Sequence, residues 1–364
     1  MKENPFRFGM VVDGPYFTDR ENEIKKIRSF LKAANHIIIT SPRRFGKTSL
    51  IKKIISEEGY RHIYLDLQLV VSQEDFASQI LKRLYRIFPF QKLKSKIRSF
   101  RIIPSVIIHP VTGETEISFS PGSKDNAPLE DVLNLIENLG SGENRIKVVI
   151  DEFQEIYRIS PGLDRFLRSV MQNHKNINYI FMGSSESMLR EIFEKKNSPF
   201  YRFGSLFHLG KIPEEKFRLF LIERFASLTE KAEEISNEIL EITGSHPYYT
   251  QQLAFTVWEL LHNNIKNKVV ESATEEIVRS HDNDYERLWN TFNRTDMLVL
   301  TGMSLSDFSP LSDEFRKQYG TGASSTVFST LLRLVRKGIL IKEGSSYYLD
   351  DPFLKRWIIM RRQL

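Results

Sequence analysis

Apolar positions along the chain alternate between short unbroken runs and amphipathic stretches. "RENEIKKIRSFLKA" (20–33) places Ile24, Ile27 and Leu31 on one face of a helix. "HIIIT" (36–40) is a β-branched run too short for a helix, the texture of a strand buried on both faces. The alternation continues. "KTSLIKKIISEE" reads as helix, "HIYLDL" (62–67) as strand and "EDFASQILKRLYRIF" (74–88) as helix. "KVVIDEF" (147–153) is a strand, "GLDRFLRSVMQNH" (162–174) a helix, "INYIFMGSS" (177–185) a strand, and "SLFHLGKI" (205–212) a candidate fifth strand. Strands alternating with helices predict an α/β fold with a parallel sheet covered on both faces.

The rhythm breaks in two places. Within 91–120, "RIIPSVIIHP" and "GETEISFS" flank Val111-Thr112-Gly113 and predict a β-hairpin inserted into the α/β core. After Ile212 the strand signals stop, and 213–290 read as helices, "EEKFRLFLIERF" and "YYTQQLAFTVWELL" most clearly. From Asn293, three short helical stretches precede two strands around Gly344-Ser345. The expected division is a core over 1–212, a helical segment over 213–292 and a small C-terminal domain over 293–364.

Composition narrows the function. The 364 residues include no cysteine, which excludes thiolate metal sites, disulfides and cysteine nucleophiles and suits a reducing compartment. Neither a signal-peptide h-region nor an apolar run of membrane-spanning length is present, so a cytoplasmic protein without a membrane partner is expected. The net charge of +6 leans toward polyanionic partners. Lys82 to Arg101 carries eight Lys/Arg and no acid. A solvated helix face over buried Leu84, Ile87, Leu93 and Ile97 accounts for it better than a nucleic-acid stripe. The eight histidines show no metal-ligand spacing.

The chemistry lies in "SPRRFGKTSL" (41–50), which matches the phosphate loop G-x-x-x-x-G-K-[ST] except that Ser41 replaces the first glycine. A buried strand precedes it and a helix follows, so backbone N–H groups and the helix dipole converge on a phosphate. Ser41, Pro42, Arg43, Arg44, Phe45, Gly46, Lys47, Thr48 and Ser49 form the candidate nucleotide-binding segment. Gly46 lets the backbone approach phosphate, Lys47 reaches the β- and γ-phosphates, and the Thr48 hydroxyl binds Mg2+. Ser41 is expected to take a strained turn at about 1–2 kcal/mol. Arg43 and Arg44 read as solvated loop arginines rather than phosphate or subunit contacts.

"KVVIDE" supplies the remaining parts. Asp151 at the strand tip is the expected Mg2+ carboxylate, and Glu152 the group that polarises the attacking water. "FMGSS" closes a strand expected to lie between the other two, which aims Ser184 or Ser185 at the γ-phosphate.

With these residues in view, the chain resembles the archaeal-type ATPase family, related to the STAND and origin-recognition ATPases among AAA+-like P-loop proteins. The resemblance spans the chain through "YFTDRENEIKKI", "SPRRFGKTSL", "VVIDEFQEI", "YIFMGSS", "SPFYRFGSLFHLGKI", "GSHPYYTQQL" and "GILIKEGSSYYLDDPFLKRWI". It implies that Asp19 and Arg20 of "DREN" lie against adenine and that His246 and Pro247 of a helical lid close on the nucleotide. It also implies that Arg202 meets the γ-phosphate of its own or a neighbouring subunit. A structural salt bridge is the competing role for Arg202, and a packed lid position for His246. The last domain resembles a winged helix, with "ASSTVFSTLLRLVRKG" as recognition helix started by capping serines and "ILIKEGSSYYLD" as wing. From Asn293 onward there are 11 Lys/Arg against 7 Asp/Glu. That balance leaves double-stranded DNA and a protein both open as its partner.

The function expected is therefore hydrolysis of ATP to ADP and phosphate with Mg2+, nucleotide state being coupled to lid and winged helix, on DNA or not. The alternatives are a STAND-like signalling switch that self-associates or binds a protein partner, and a scaffold that ATP only stabilises.

Overall fold

The computed structural model describes residues 3–108, 115–119 and 127–362, and the chain divides into two compact units. One holds Arg20–Ser41 and Lys47–Gly210. The other holds the N-terminal stretch to Asp19, the loop Pro42–Gly46 and the chain from Lys211 onward.

The first unit runs α1 (Glu21–Lys32), β1 (Ile37–Thr40), α2 (Lys47–Glu57), β2 (His62–Asp66), α3 (Gln73–Ile87), α4 (Phe90–Ile97), β3 (Ser105–Ile108) and β4 (Thr115–Ser118). It continues with α5 (Ala127–Leu139), β5 (Ile146–Asp151), α6 (Ile156–Ile159), α7 (Leu163–Met171), β6 (Ile177–Gly183), α8 (Glu186–Glu194) and β7 (Ser205–His208). Five strands form one parallel sheet in the order β2-β5-β6-β1-β7. β6 lies between β5 and β1, the placement anticipated from the motifs. β1, β5 and β6 are buried along their whole length, as unbroken apolar runs require, whereas the edge strand β7 is partly exposed.

One polar residue interrupts the apolar run of β5. The buried Lys147 amine donates to Leu31 O (3.0 Å) and Asn178 Oδ1 (2.6 Å), so its charge sits inside a satisfied network. The basic stretch behaves as expected. Leu84, Leu93 and Ile97 are buried, and Ile87 is partly buried against the same core. Arg86, Lys92, Lys94, Arg98 and Arg101 are exposed, whereas Arg83 is half-buried and donates to the Tyr64 and Gln79 carbonyls. The inserted hairpin is antiparallel, with Ser105 opposite Ser118. Its expected turn at Val111–Gly113 lies outside the described residues.

The second unit continues with α9 (Glu214–Phe225), α10 (Ala232–Thr243), α11 (Pro247–His262), α12 (Val269–Ser280) and α13 (Asp282–Trp289). Then come α14 (Arg294–Leu305), α15 (Asp313–Tyr319), α16 (Ser324–Arg336), β8 (Leu340–Glu343), β9 (Ser346–Leu349) and α17 (Pro352–Arg361). A single buried cluster extends from Phe6 and Phe217 through Trp258 and Leu300 to Leu331 and Trp357, so these helices share one core. β8 and β9 pair antiparallel around Gly344-Ser345. α14 starts with a reciprocal capping box between Asn293 and Asp296. α16 does not start as the sequence suggests. Ala323 occupies its N-cap without a side-chain bond, and Ser324 and Ser325 lie exposed inside the helix. Among the described residues no helix is long and apolar enough to cross a membrane.

Candidate functional site

β1 delivers the chain into the loop and α2 takes it out, beginning at Lys47. The Lys47 amine is buried and donates to the carbonyl (3.0 Å) and hydroxyl (3.2 Å) of Ser41. That hydroxyl is what a first glycine would lack. Ser41 is also unstrained. The left-handed residues of the loop are Arg44 (φ 65°) and Gly46 (φ 88°), so the expected penalty at Ser41 is not incurred. The turn is made later in the loop, at Gly46 and at a left-handed Arg44. A Cβ built on Gly46 would meet no atom within 4 Å, which suits a loop whose backbone must be approached from outside. Ser49 is buried in the first turn of α2.

Parallel pairing of β2 with β5 sets Asp66 opposite Asp151 at the strand ends. Asp151 Oδ2 accepts from the Thr48 hydroxyl at 3.4 Å and from the Tyr64 hydroxyl, while Tyr64 Oη lies 3.5 Å from Thr48 Oγ1. Burial pushes the Asp151 carboxyl above its ordinary range, against the opposing pull of Tyr64 and of the Glu152 amide. Burial and then the Asp151 charge push the Tyr64 phenol upward too, so it stays a proton donor. Hard oxygen donors with a single carboxylate suit a Mg2+ ion that keeps most of its waters and takes its other ligands from phosphate.

Glu152 follows Asp151 in a left-handed conformation (φ 50°), a backbone state that costs a non-glycine residue about 1–3 kcal/mol. That turn brings its carboxylate to the end of β6. Glu152 Oε2 accepts from the Ser184 amide (3.2 Å), the Ser184 hydroxyl (2.9 Å) and the Gln154 side-chain amide. Of the two candidate serines, Ser184 reaches this cluster, while Ser185 is the N-cap of α8 and makes no side-chain cap bond.

The remaining candidates have other surroundings. Asp19 (φ 54°) and Arg20 (φ 71°) are consecutive left-handed residues. The Arg20 guanidinium is buried on Glu23 (3.0 Å) and the Gly210 carbonyl (2.8 Å), which fixes the start of α1. Arg202 has φ 53° and an exposed side chain near the Tyr201 ring, and among the described residues it forms no ion pair. Arg43 is exposed. Arg44 is exposed too, but its guanidinium is held. It donates to Tyr249 Oη at 3.1 Å and lies 4.6 Å from the Tyr248 ring. Pro42 is half-buried. Phe45 is buried edge-on to His246. His246 caps α11 by accepting from Tyr248 N at 3.2 Å, directly before Pro247 at the first helical position, and its Nε2 lies 3.5 Å from Asp350 Oδ1. His246 is thus packed at the start of α11.

Two residues of the cluster have no counterpart in the sequence reading. Tyr64 looks like any aromatic on a strand, and only the pairing of β2 with β5 brings it to Asp151. Gln154 follows Glu152 by two positions, and its role depends on the turn that Glu152 makes.

A family model described as an ATPase domain predominantly from Archaea matches residues 17–253, and a probable winged helix domain matches 283–360. No curated protein matches the chain. A Walker-type ATPase of Pyrococcus abyssi superposes with a TM-score of 0.66 at 18% identity, covering 94% of this chain and 96% of that one. The ORC2 protein of Aeropyrum pernix, solved as ADPNP-ADP complexes, gives 0.57 at 16% identity over 98% and 99%. The ORC1 protein of the same organism, solved with DNA, gives 0.50 at 15% over 93% and 91%. At these identities the structures establish a shared fold, a P-loop ATPase core with a C-terminal winged helix. The chain belongs to the family of ATPase domains found predominantly in Archaea.

Proposed function

We propose that the chain hydrolyses ATP to ADP and phosphate with Mg2+ and couples nucleotide state to its helical lid and winged helix. The observation that carries this reading is the end of β5, where adjacent carboxylates diverge: Asp151 turns to Thr48, and Glu152 turns to Ser184. Mg2+, when bound, offsets charge on the β- and γ-phosphates. Thr48 and Asp151 would hold it. The Lys47 amine exchanges Ser41 for phosphate oxygens, the Gly46 backbone lies along the phosphates, and Glu152 accepts a hydrogen bond from the attacking water and orients it. Steady-state hydrolysis beside Lys47→Ala and Glu152→Gln tests this. Turnover that survives Glu152→Gln would remove Glu152 from the reaction, and a wild type without turnover would leave only a nucleotide-stabilised scaffold.

Coupling draws support from contacts within the second unit. Arg44 of the loop meets Tyr248 and Tyr249 of α11, and Tyr249 packs edge-on against Phe353 of α17 at 5.8 Å. A switch whose winged helix contacts protein is favoured by α16 itself. Arg333 is committed to the buried Asp296, and Phe328 stands 44% exposed among hydroxyl side chains. Double-stranded DNA would find the exposed Arg336, Lys337 and Lys342. These neutralise about three phosphates, so the slope of log K against log salt should be about −3. Salt-insensitive binding, or none, would discard DNA as the partner.

A further inference from the structure

We infer that Gln154 is a positioning residue for Glu152, holding its carboxylate once ATP has claimed Ser184; this rests on the hydrolytic reading above. Three donors converge on one oxygen of Glu152, and two of them belong to Ser184. A serine hydroxyl has one proton to donate. If Ser184 turns that proton to a γ-phosphate oxygen, Glu152 keeps the Ser184 backbone N–H and has Gln154 as its remaining side-chain donor.

Gln154 is built to stay in place. Its neighbour Phe153 is fully buried among Phe181, Phe193 and Phe200, with ring centroids 4.5–5.5 Å away, which pins the backbone of this turn. The Gln154 side chain is 5% exposed and lies flat on Gly183, where an added Cβ would overlap its Oε1. Among the described residues that oxygen has no hydrogen-bond partner. A buried amide that leaves its acceptor unpaired in order to aim its donor at Glu152 is an expensive arrangement for a merely structural glutamine.

The test is Gln154→Met, which keeps the side-chain volume and removes the donor, with Gly183→Ala as an independent probe that keeps the amide and displaces it. Misplacing a reacting group by an ångström can cost about 100-fold. Both variants should therefore lower kcat by about 10- to 100-fold while the affinity for a fluorescent ATP analogue stays within twofold. The double variant should be no slower than the slower single one. A kcat within twofold of wild type in either variant, or a kcat above it, overturns the inference. So does a parallel loss of nucleotide affinity, which marks a structural role. If hydrolysis instead survives Glu152→Gln, the reading beneath it has failed, and that outcome is distinct from Gln154 alone failing.

Discussion

At Ser41 a side chain stands where a phosphate loop usually has none, and its hydroxyl holds the lysine that the nucleotide must recruit. Ser41→Gly removes that bond and adds backbone freedom to the unfolded chain. The nucleotide-free protein should lose about 1–2 kcal/mol in urea denaturation. ATP affinity should hold or rise, because phosphate no longer competes with the serine for Lys47. A fall in affinity with unchanged stability would show that the hydroxyl contacts nucleotide instead. Tyr64 occupies a comparable position beside Thr48 and Asp151, the proposed metal ligands. Tyr64→Phe leaves the buried Asp151 carboxylate short of its strongest neutral donor, and unfolding in EDTA should become easier by about 1–3 kcal/mol. Unchanged stability would mean that the hydroxyl has no hold on Asp151.

The elements beneath the site explain what the sequence made legible. Phosphate binding is specified over a few consecutive residues, so strand, loop and helix could be read together from "HIIITSPRRFGKTSL". The strands could be read as well, because fully buried strands show as unbroken apolar runs, and the motifs placed β6 between β5 and β1. Contacts that depend on a strand's neighbour could not. Tyr64 and Asp151 are 87 residues apart and meet only through the register of β2 on β5. Helix α5, with Leu129, Val132, Leu133 and Ile136 buried, is not among the elements read from the sequence, although its apolar residues recur at helical spacing. The serines of α16 look like caps, yet the chain enters that helix from Ala323.

β1 carries a further consequence for pH. His36, just before this strand, accepts from Tyr179 N at 3.2 Å and packs on Tyr179 and Phe203. Burial first, then the charges of His174 and Arg168, lowers its pKa from 6.5 to about 4. The folded state therefore refuses a proton that the unfolded chain accepts. The stabilisation is complete above pH 6.5 and is lost as pH falls from 6.5 toward 4, on the order of 2–3 kcal/mol. His36→Gln keeps an acceptor without the titration. Its stability should decline less than wild type across that window, although His174, whose own pKa burial lowers, still titrates in the variant. Parallel declines would assign the acid sensitivity elsewhere.

For the whole molecule, the question is how a nucleotide could be felt by the winged helix. The second unit carries a continuous path for it. Arg44 in the loop bonds Tyr249, Tyr249 packs on Phe353, and Phe353 follows the Asp351 that caps α17 and accepts from Tyr285 Oη at 3.0 Å. Each step is a direct contact between two helices or between helix and loop, so under the proposed coupling a displacement at one end would be carried by packing, not by a long flexible linker. Removing Arg44 cuts the path at its start while leaving Lys47, Thr48 and the carboxylates untouched. Arg44→Ala should bind an ATP analogue within about fivefold of wild type, a loss of at most about 1 kcal/mol. Under limited proteolysis, the analogue should protect the chain beyond Lys211 in the wild type and fail to do so in the variant. Equal protection in both would mean that the winged helix responds to nucleotide without this path, and Arg44 would then be a structural contact of the loop alone.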